Sequence, residues 1–187
     1  MPDDSRDIDA VIAFWREAGP DAWFTKSDEF DAAMRTKFGA LQEKASAGER
    51  DHWAKSAKGA LALLLLLDQF SRNLFRGDAR AFAQDAHARA IADAALDSGY
   101  DAEIAETLDP RLRSFFYLPF MHSEDVADQD RCVALYEAMG DEESLKYAHI
   151  HRDIIVRFGR FPHRNPALGR DTTAEEQAFL DAGGFSG

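Results

Sequence analysis

A nine-residue apolar run, Gly59 to Leu67, constrains the fold of this chain more than any other feature. It lies between Lys58 and Asp68, and at about 1.5 Å per residue it is roughly half as long as a helix that spans a bilayer core. The run is apolar on every side of a helix, whereas a surface helix carries an apolar stripe on one side. We therefore predict a buried central helix surrounded by other helices, and no membrane span.

The other long segments are also helical in pattern, because none alternates apolar and polar residues over the length of a strand. Glycines, prolines and capping residues divide the chain into about eight helices. Their predicted bounds are about 8–18, 28–47, 51–70, 79–98, 109–121, 126–139 and 141–158, with a short eighth helix after residue 173. No linker rich in Pro, Gly or Ser is visible, so residues 1–187 are predicted to form one all-α domain, a compact antiparallel array.

The composition narrows the class of protein. The formal net charge is −12, and one short basic segment cannot supply the broad basic surface that nucleic acid or anionic lipid requires. The single cysteine, Cys132, excludes an intrachain disulfide and a cysteine-based zinc site. The amino terminus lacks the basic start and apolar run of a secretory signal. These observations favour a cytoplasmic protein that binds neither nucleic acid nor membrane.

The segment from His149 to Arg170 departs from this acidic background. It holds five arginines and one acid, a net charge of +4, so the rest of the chain carries −16. Arginine offers paired donors to a carboxylate or phosphate, and histidine and asparagine add further donors. We expect Arg160, His163, Arg164 and Asn165 to bind an anion. Alternatively, the arginines pair with the surplus acids or stabilise carbonyls at the end of the seventh helix.

Two histidines in the seventh predicted helix, His149 and His151, are separated by one residue. At about 100° per residue their side chains diverge by about 160°, so they cannot bind one metal ion while the helix is regular. His151 lies in the middle of the apolar stripe. A histidine in that position is more often a core residue bonded to a neighbour than part of a site, and both alternatives stay open.

Polar residues follow the apolar run directly. Asp68 and Arg72 are four positions apart, as are Gln69 and Asn73, so each pair shares one helical face. Polar groups are thereby placed at the end of the buried helix. They are candidates for a site, or for an ion pair that satisfies a buried carboxylate.

A third polar group, His122-Ser123-Glu124-Asp125, follows an aromatic run. An imidazole beside two carboxylates can support acid/base chemistry or bind a cation. Alternatively, Ser123 or Asp125 caps the next helix with Glu124 in its first turn, which leaves His122 unexplained. A metal site could recruit His122, Glu124, His163 and Asp68, but these have no diagnostic spacing, and we predict no metal or cofactor.

Three stretches of the chain, residues 66–77, 116–125 and 151–165, together resemble the bacterial family known as domain of unknown function 924. Further matching residues, Trp23-Phe24, Leu168-Gly169-Arg170 and Phe179-Leu180, extend the resemblance through nearly the whole chain. The resemblance implies a compact all-α fold similar to tetratricopeptide-repeat (TPR) proteins, with TPR-like superhelical packing but without their repeat signature. It implies no activity.

We expect the three polar groups to converge on one pocket that binds a small anionic ligand, whether or not the protein is an enzyme. The residues expected to move a proton are His122, His151 and Asp68. The residues expected to bind the ligand are Arg72, Asn73, Glu124, Asp125, Arg160, His163, Arg164 and Asn165.

Two alternatives from other classes remain. The first is a TPR-like interaction module whose groove binds a peptide or a carboxyl terminus through arginines. The second is a metal-dependent hydrolase. A protein partner or a homo-oligomer is compatible with any of these functions.

Overall fold

The computed structural model describes residues 4–185, and every regular element in that range is helical, which confirms the all-α class. Eleven α-helices lie in these residues, so the expectation of about eight was too low. TPR-like packing stays a prediction. The helices are α1 (Ser5–Ala18), α2 (Pro20–Trp23), α3 (Asp28–Ser46), α4 (Ala57–Leu64), α5 (Ser71–Leu74), α6 (Asp85–Asp97), α7 (Tyr100–Thr107), α8 (Leu118–Met121), α9 (Val126–Met139), α10 (Glu142–Phe158) and α11 (Ala174–Asp181).

Three helices are additional to the predicted set. Helix α2 is a single turn that begins at Pro20, directly after Gly19. Helix α7 starts immediately after Gly99, whose φ of 72° ends α6 as expected, so only Ser98 and Gly99 separate the end of one helix from the start of the next. These two cases show that a helix stop signal does not fix the length of the connection that follows it. Helix α5 begins at Ser71, directly after the predicted end of the third helix.

The predicted third helix begins as the 3-10 turn Asp51–Lys55, continues as α4 and ends in a π-helical segment over Leu65–Phe70, after which α5 begins. Within it, Ala60–Leu67 is buried at every position, with at most 1% of any residue exposed, so the buried central helix is confirmed. Helix α4 contacts α1, α6 and α7. Among the described residues, no helix has the length and apolar character needed to cross a bilayer.

The π-helical segment has a local stabilising contact. A π-helix closes its hydrogen bonds over five residues instead of four, which leaves some carbonyls poorly paired where it meets α-helix. The Ser71 hydroxyl donates to the carbonyl of Leu66, five residues earlier, at 3.2 Å. Gln42 of α3 in turn donates to the Ser71 hydroxyl at 3.0 Å. The regular helix assumed from the sequence is therefore wrong at this point.

The chain divides into two compact units. The first comprises Met1–Arg76 and Arg80–Pro119, and the second comprises Gly77–Ala79 and Phe120–Gly187. The apolar central helix belongs to the first unit, and the basic segment belongs to the second. The single domain stays a prediction.

Helices α9 and α10 pack against each other in the second unit. The Asp125 carboxylate accepts the Ala127 amide at 2.8 Å and caps α9, so Asp125, an expected ligand-binding residue, has a capping role. Gly140 ends α9 with a φ of 73°, and the Asp141 side chain caps α10. Capping residues and a glycine thus define this helical hairpin, which presents α10 to the candidate site.

Replacement of Leu66 by alanine tests the central position of the apolar run. We expect the free energy of unfolding to fall by about 2–5 kcal/mol, because the buried side chain leaves a cavity. Val156→Ala is the matched control: Val156 is 56% exposed, and its loss is expected to cost less than about 0.5 kcal/mol. Urea unfolding of both variants provides the comparison, and similar losses would contradict a buried central helix.

Candidate functional site

The turn after α10 brings the basic segment back against that helix. Gly159 ends α10 with a φ of 69°, and Pro162 begins the 3-10 turn Pro162–Arg164. Phe161 is fully buried and shares an apolar cluster with Ile154 and Ile155 of α10. This apolar anchor holds the turn that carries His163 and Arg164.

Five aromatic rings of the second unit lie together, and we call them the His–Phe cluster: His122, His151, Phe161, His163 and Phe185. The ring centroids of His122 and His151 are 6.4 Å apart. His151 lies 5.6 Å from Phe161 and 4.4 Å from Phe185. His163 lies 5.6 Å from both phenylalanines. The structure thus brings together three histidines that the sequence assigned to one site.

Arg164 adds a permanent charge to this cluster. Its side chain is 5% exposed, donates from Nη2 to the His122 carbonyl at 3.0 Å, and places its guanidinium carbon 4.5 Å from the centre of the Phe161 ring. A guanidinium stays protonated at every accessible pH. The cluster therefore has a buried positive charge beside its imidazoles.

His151 is neutral at neutral pH. Its Nδ1 lies 2.8 Å from the Tyr147 carbonyl, and since a carbonyl only accepts, Nδ1 carries the proton and Nε2 the lone pair. Burial lowers the pKa of His151 to about 3, the bond to Tyr147 opposes this, and nearby charge on His122, His163 and Arg164 lowers it further. The inward orientation of His151 predicted from periodicity is confirmed, since the residue is 6% exposed.

Gln129 holds the segment that carries His122. This fully buried side chain of α9 donates from Nε2 to the carbonyls of Met121 and Ser123, each at 2.7 Å, and to that of Phe120 at 3.3 Å. These hydrogen bonds hold the backbone on both sides of His122 in place. Gln129 was not predicted from the sequence, although a polar residue on the inward face of a helix is a usable signal.

Arginines of the basic segment form ion pairs, as the alternative for this segment proposed. The pairs include Arg152–Asp130, Arg157–Glu175, Arg160–Glu176 and Arg170–Glu124, with shortest N–O distances of 2.5, 2.9, 2.6 and 2.7 Å. Arg164 contacts the His122 carbonyl and the Phe161 ring.

Glu124 and Asn165 support the turn. Glu124 accepts the Phe161 amide at 2.8 Å and two bonds from Arg170, at 2.7 and 3.0 Å. Arg170 also donates to Asn165 at 2.9 Å and to the Phe161 carbonyl at 3.1 Å. Burial raises the pKa of Glu124, but the bonds from Arg170 and Phe161 outweigh it and keep the pKa below its usual value. Ligand binding by Glu124 and Asn165 stays a prediction beside this structural role.

Arg160 connects the turn to α11. It donates to both carboxylate oxygens of Glu176, at 2.6 and 2.9 Å, and to the Asp171 carbonyl at 2.8 Å. Glu176 also accepts the Thr173 amide as part of the capping box of α11. The Arg160 bond, chiefly, lowers the pKa of Glu176 to about 2. The expected ligand role of Arg160 stays a prediction.

The remaining predicted residues lie in the first unit. Asp68 and Arg72 form an ion pair at 2.7 Å, and Arg72 also pairs with Asp85 at 3.1 Å. Asn73 donates to Asp31 at 2.7 Å and lines a cavity of about 330 Å³. These contacts correspond to the ion-pair alternative for the buried carboxylate, and the functional roles of Asp68, Arg72 and Asn73 stay predictions.

Metal chemistry gains no support from the side-chain positions. Within residues 4–185, no group of three or more His, Cys, Asp or Glu side chains is placed to hold a metal ion. The combination of His122, Glu124, His163 and Asp68 proposed from sequence is therefore not assembled as such a group. Cys132 is buried, and burial raises the pKa of its thiol to about 12, so the nucleophilic thiolate is disfavoured.

The chain is similar to a known protein family and to a solved structure. The family model described as "Bacterial protein of unknown function (DUF924)" matches residues 11–184. The solved structure of the protein of unknown function ATU0120 from Agrobacterium tumefaciens is 44% identical, covers 96% of this chain and 99% of its own, and superposes with a TM-score of 0.90. No curated protein matches the chain. The similarity extends to family and fold, and the descriptions name no activity.

The protonation state of His151 can be measured directly. Long-range ¹H–¹⁵N NMR spectra recorded from pH 8 down are expected to show a neutral, Nδ1-protonated ring at pH 5, because the pKa is lowered to about 3. The unfolded ring binds a proton near pH 6.5, so His151 stabilises the fold above that pH and loses the contribution as pH falls towards about 3. Exposed His149 is the internal control. A His151 signal that titrates near pH 6 would contradict burial as the cause.

Proposed function

The chain belongs to the bacterial family of unknown function DUF924, and we propose that its second unit binds a small anion at the His–Phe cluster. The observation that carries this proposal is the grouping of a buried guanidinium, Arg164, with three imidazoles around two phenyl rings. Guanidinium and imidazole N–H groups are the donors that carboxylate and phosphate oxygens accept from.

Electrostatics favour an anion at this cluster. Positive charge on His122, His163 and Arg164 lowers the pKa of His151. A bound anion would act in the opposite direction, because it offsets the charge of Arg164 and stabilises a protonated imidazole. The phenyl rings strengthen the interaction by lowering the local dielectric.

The residues have different roles in this proposal. Arg164 and His163 bind the anion, and His122, positioned by Gln129, completes the donor set. His151 is neutral before binding and carries its lone pair at Nε2. A bound anion raises the pKa of His151 from about 3 and so makes the ring a better proton acceptor, which is the property that acid/base catalysis would need.

A thermal-shift series with inorganic phosphate, sulfate and acetate tests the proposal. We expect at least one of these anions to raise the Tm of the unaltered protein, because a ligand that binds the folded state stabilises it. His163→Ala is expected to weaken binding by about tenfold or more, which corresponds to one lost charge-assisted hydrogen bond.

Arg157→Ala is the matched control, since Arg157 is exposed and pairs with Glu175 at the surface. It is expected to keep the full Tm shift. NMR of the same samples is expected to show a higher His151 pKa with the anion bound. Equal Tm shifts in the unaltered protein and in His163→Ala, with the His151 pKa unchanged, would disprove binding at the cluster.

A further inference from the structure

The chain returns onto the His–Phe cluster through two consecutive glycines. Helix α11 ends at Asp181, and Gly183 follows with a φ of 80°, a conformation that L side chains rarely adopt. A Cβ at Gly184 would lie 2.5 Å from the ring of Phe179 and 2.6 Å from its carbonyl oxygen. Glycine is therefore favoured at position 183 by its φ and at position 184 by the close approach to Phe179. The two glycines allow a tight return of the chain that ends at Phe185.

Phe185 reaches the side chains that we assign to anion binding. Its ring lies 4.4 Å from the ring of His151 and 5.6 Å from that of His163, with interplanar angles of 57° and 77°. It packs against the apolar cluster of Ile154, Ile155 and Phe161. An aromatic group thus lies beside two imidazoles, close to a buried guanidinium.

Phe185 is held differently from the other phenylalanine of the cluster. Phe161 is fully buried and its backbone is fixed by Glu124 and Arg170, whereas Phe185 is half-buried and follows a glycine pair beyond the last helix. Removal of the Phe161 ring would take away the anchor of the turn. Displacement of the Phe185 ring needs only a rotation of a short segment with glycine freedom.

We infer that the ligand of the cluster is an anion that carries an aromatic ring, and that the Phe185 ring occupies the place of that ligand ring. This inference rests on the proposed function. The anionic group of the ligand accepts hydrogen bonds from Arg164 and His163, and its ring replaces that of Phe185 against His151. Phe185 is then an internal competitor, and the apparent affinity of the ligand falls by the fraction of molecules in which the Phe185 ring is in place.

Phe185→Ala tests this assignment with two related probes, 3-phenylpropionate and propionate, titrated by NMR of the histidine signals. The variant is expected to bind 3-phenylpropionate about tenfold more tightly than the unaltered protein, since the competing ring is gone. Propionate has no ring and therefore does not compete with the Phe185 ring. Its affinity is expected to differ by less than about twofold between the variant and the unaltered protein. Phe24→Ala is the matched control, because Phe24 is 69% exposed and lies in the first unit.

Gly184→Ala provides an independent variant that keeps the phenyl ring. The added Cβ forces the segment away from Phe179, so this variant is expected to bind 3-phenylpropionate more tightly too. Circular dichroism checks that each variant is folded, and Phe185→Leu replaces Phe185→Ala if the latter unfolds.

The possible outcomes separate the inference from the proposed function. If phosphate, propionate and 3-phenylpropionate all fail to bind every protein, anion binding at the cluster is wrong and the inference fails with it. If propionate or phosphate binds but the Phe185 and Gly184 variants leave the affinity for 3-phenylpropionate unchanged or reduced, the inference is overturned and anion binding stands. If the variants bind 3-phenylpropionate more tightly than the unaltered protein and bind propionate with unchanged affinity, the result supports both the inference and the proposed function.

Discussion

The position of the candidate site depends on one carboxylate, that of Glu124. It accepts the Phe161 amide at 2.8 Å and two bonds from Arg170, and Arg170 also binds the Phe161 carbonyl. The residue that anchors the 3-10 turn is thus bonded at both its amide and its carbonyl. Because His163 and Arg164 follow Phe161 and Pro162 in this turn, the Glu124 contact helps to fix the geometry of the His–Phe cluster.

The arginines of the basic segment make different contacts. Arg160 and Arg170 form ion pairs that fasten the turn, and exposed Arg157 pairs at the surface. Arg164 is instead buried against Phe161 beside the imidazoles. Arg160 and Arg170 fix the turn, Arg157 balances acid at the surface, and Arg164 places a positive charge beside the imidazoles. Burial lowers the pKa of His151, so its ring is neutral next to this charge.

Local signals predicted much of this structure from sequence. Helical periodicity placed His151 inward, and glycine and cap signals placed the ends of α9 and α10, because both depend on residues a few positions apart. The contacts that hold the arginines of the basic segment are not local. Arg170 and Glu124 are 46 positions apart, and no spacing rule records such a pair. For the same reason the sequence did not indicate that Phe185 returns to His151.

Anomalous diffraction from crystals soaked in bromide tests the central claim most directly, because bromide is a small anion whose position can be measured without assumptions about the natural ligand. Our account predicts a bromide ion within hydrogen-bonding distance of the Arg164 guanidinium and of the His122 or His163 imidazole. Bromide bound at surface arginines such as Arg157, with none at the His–Phe cluster, would contradict it.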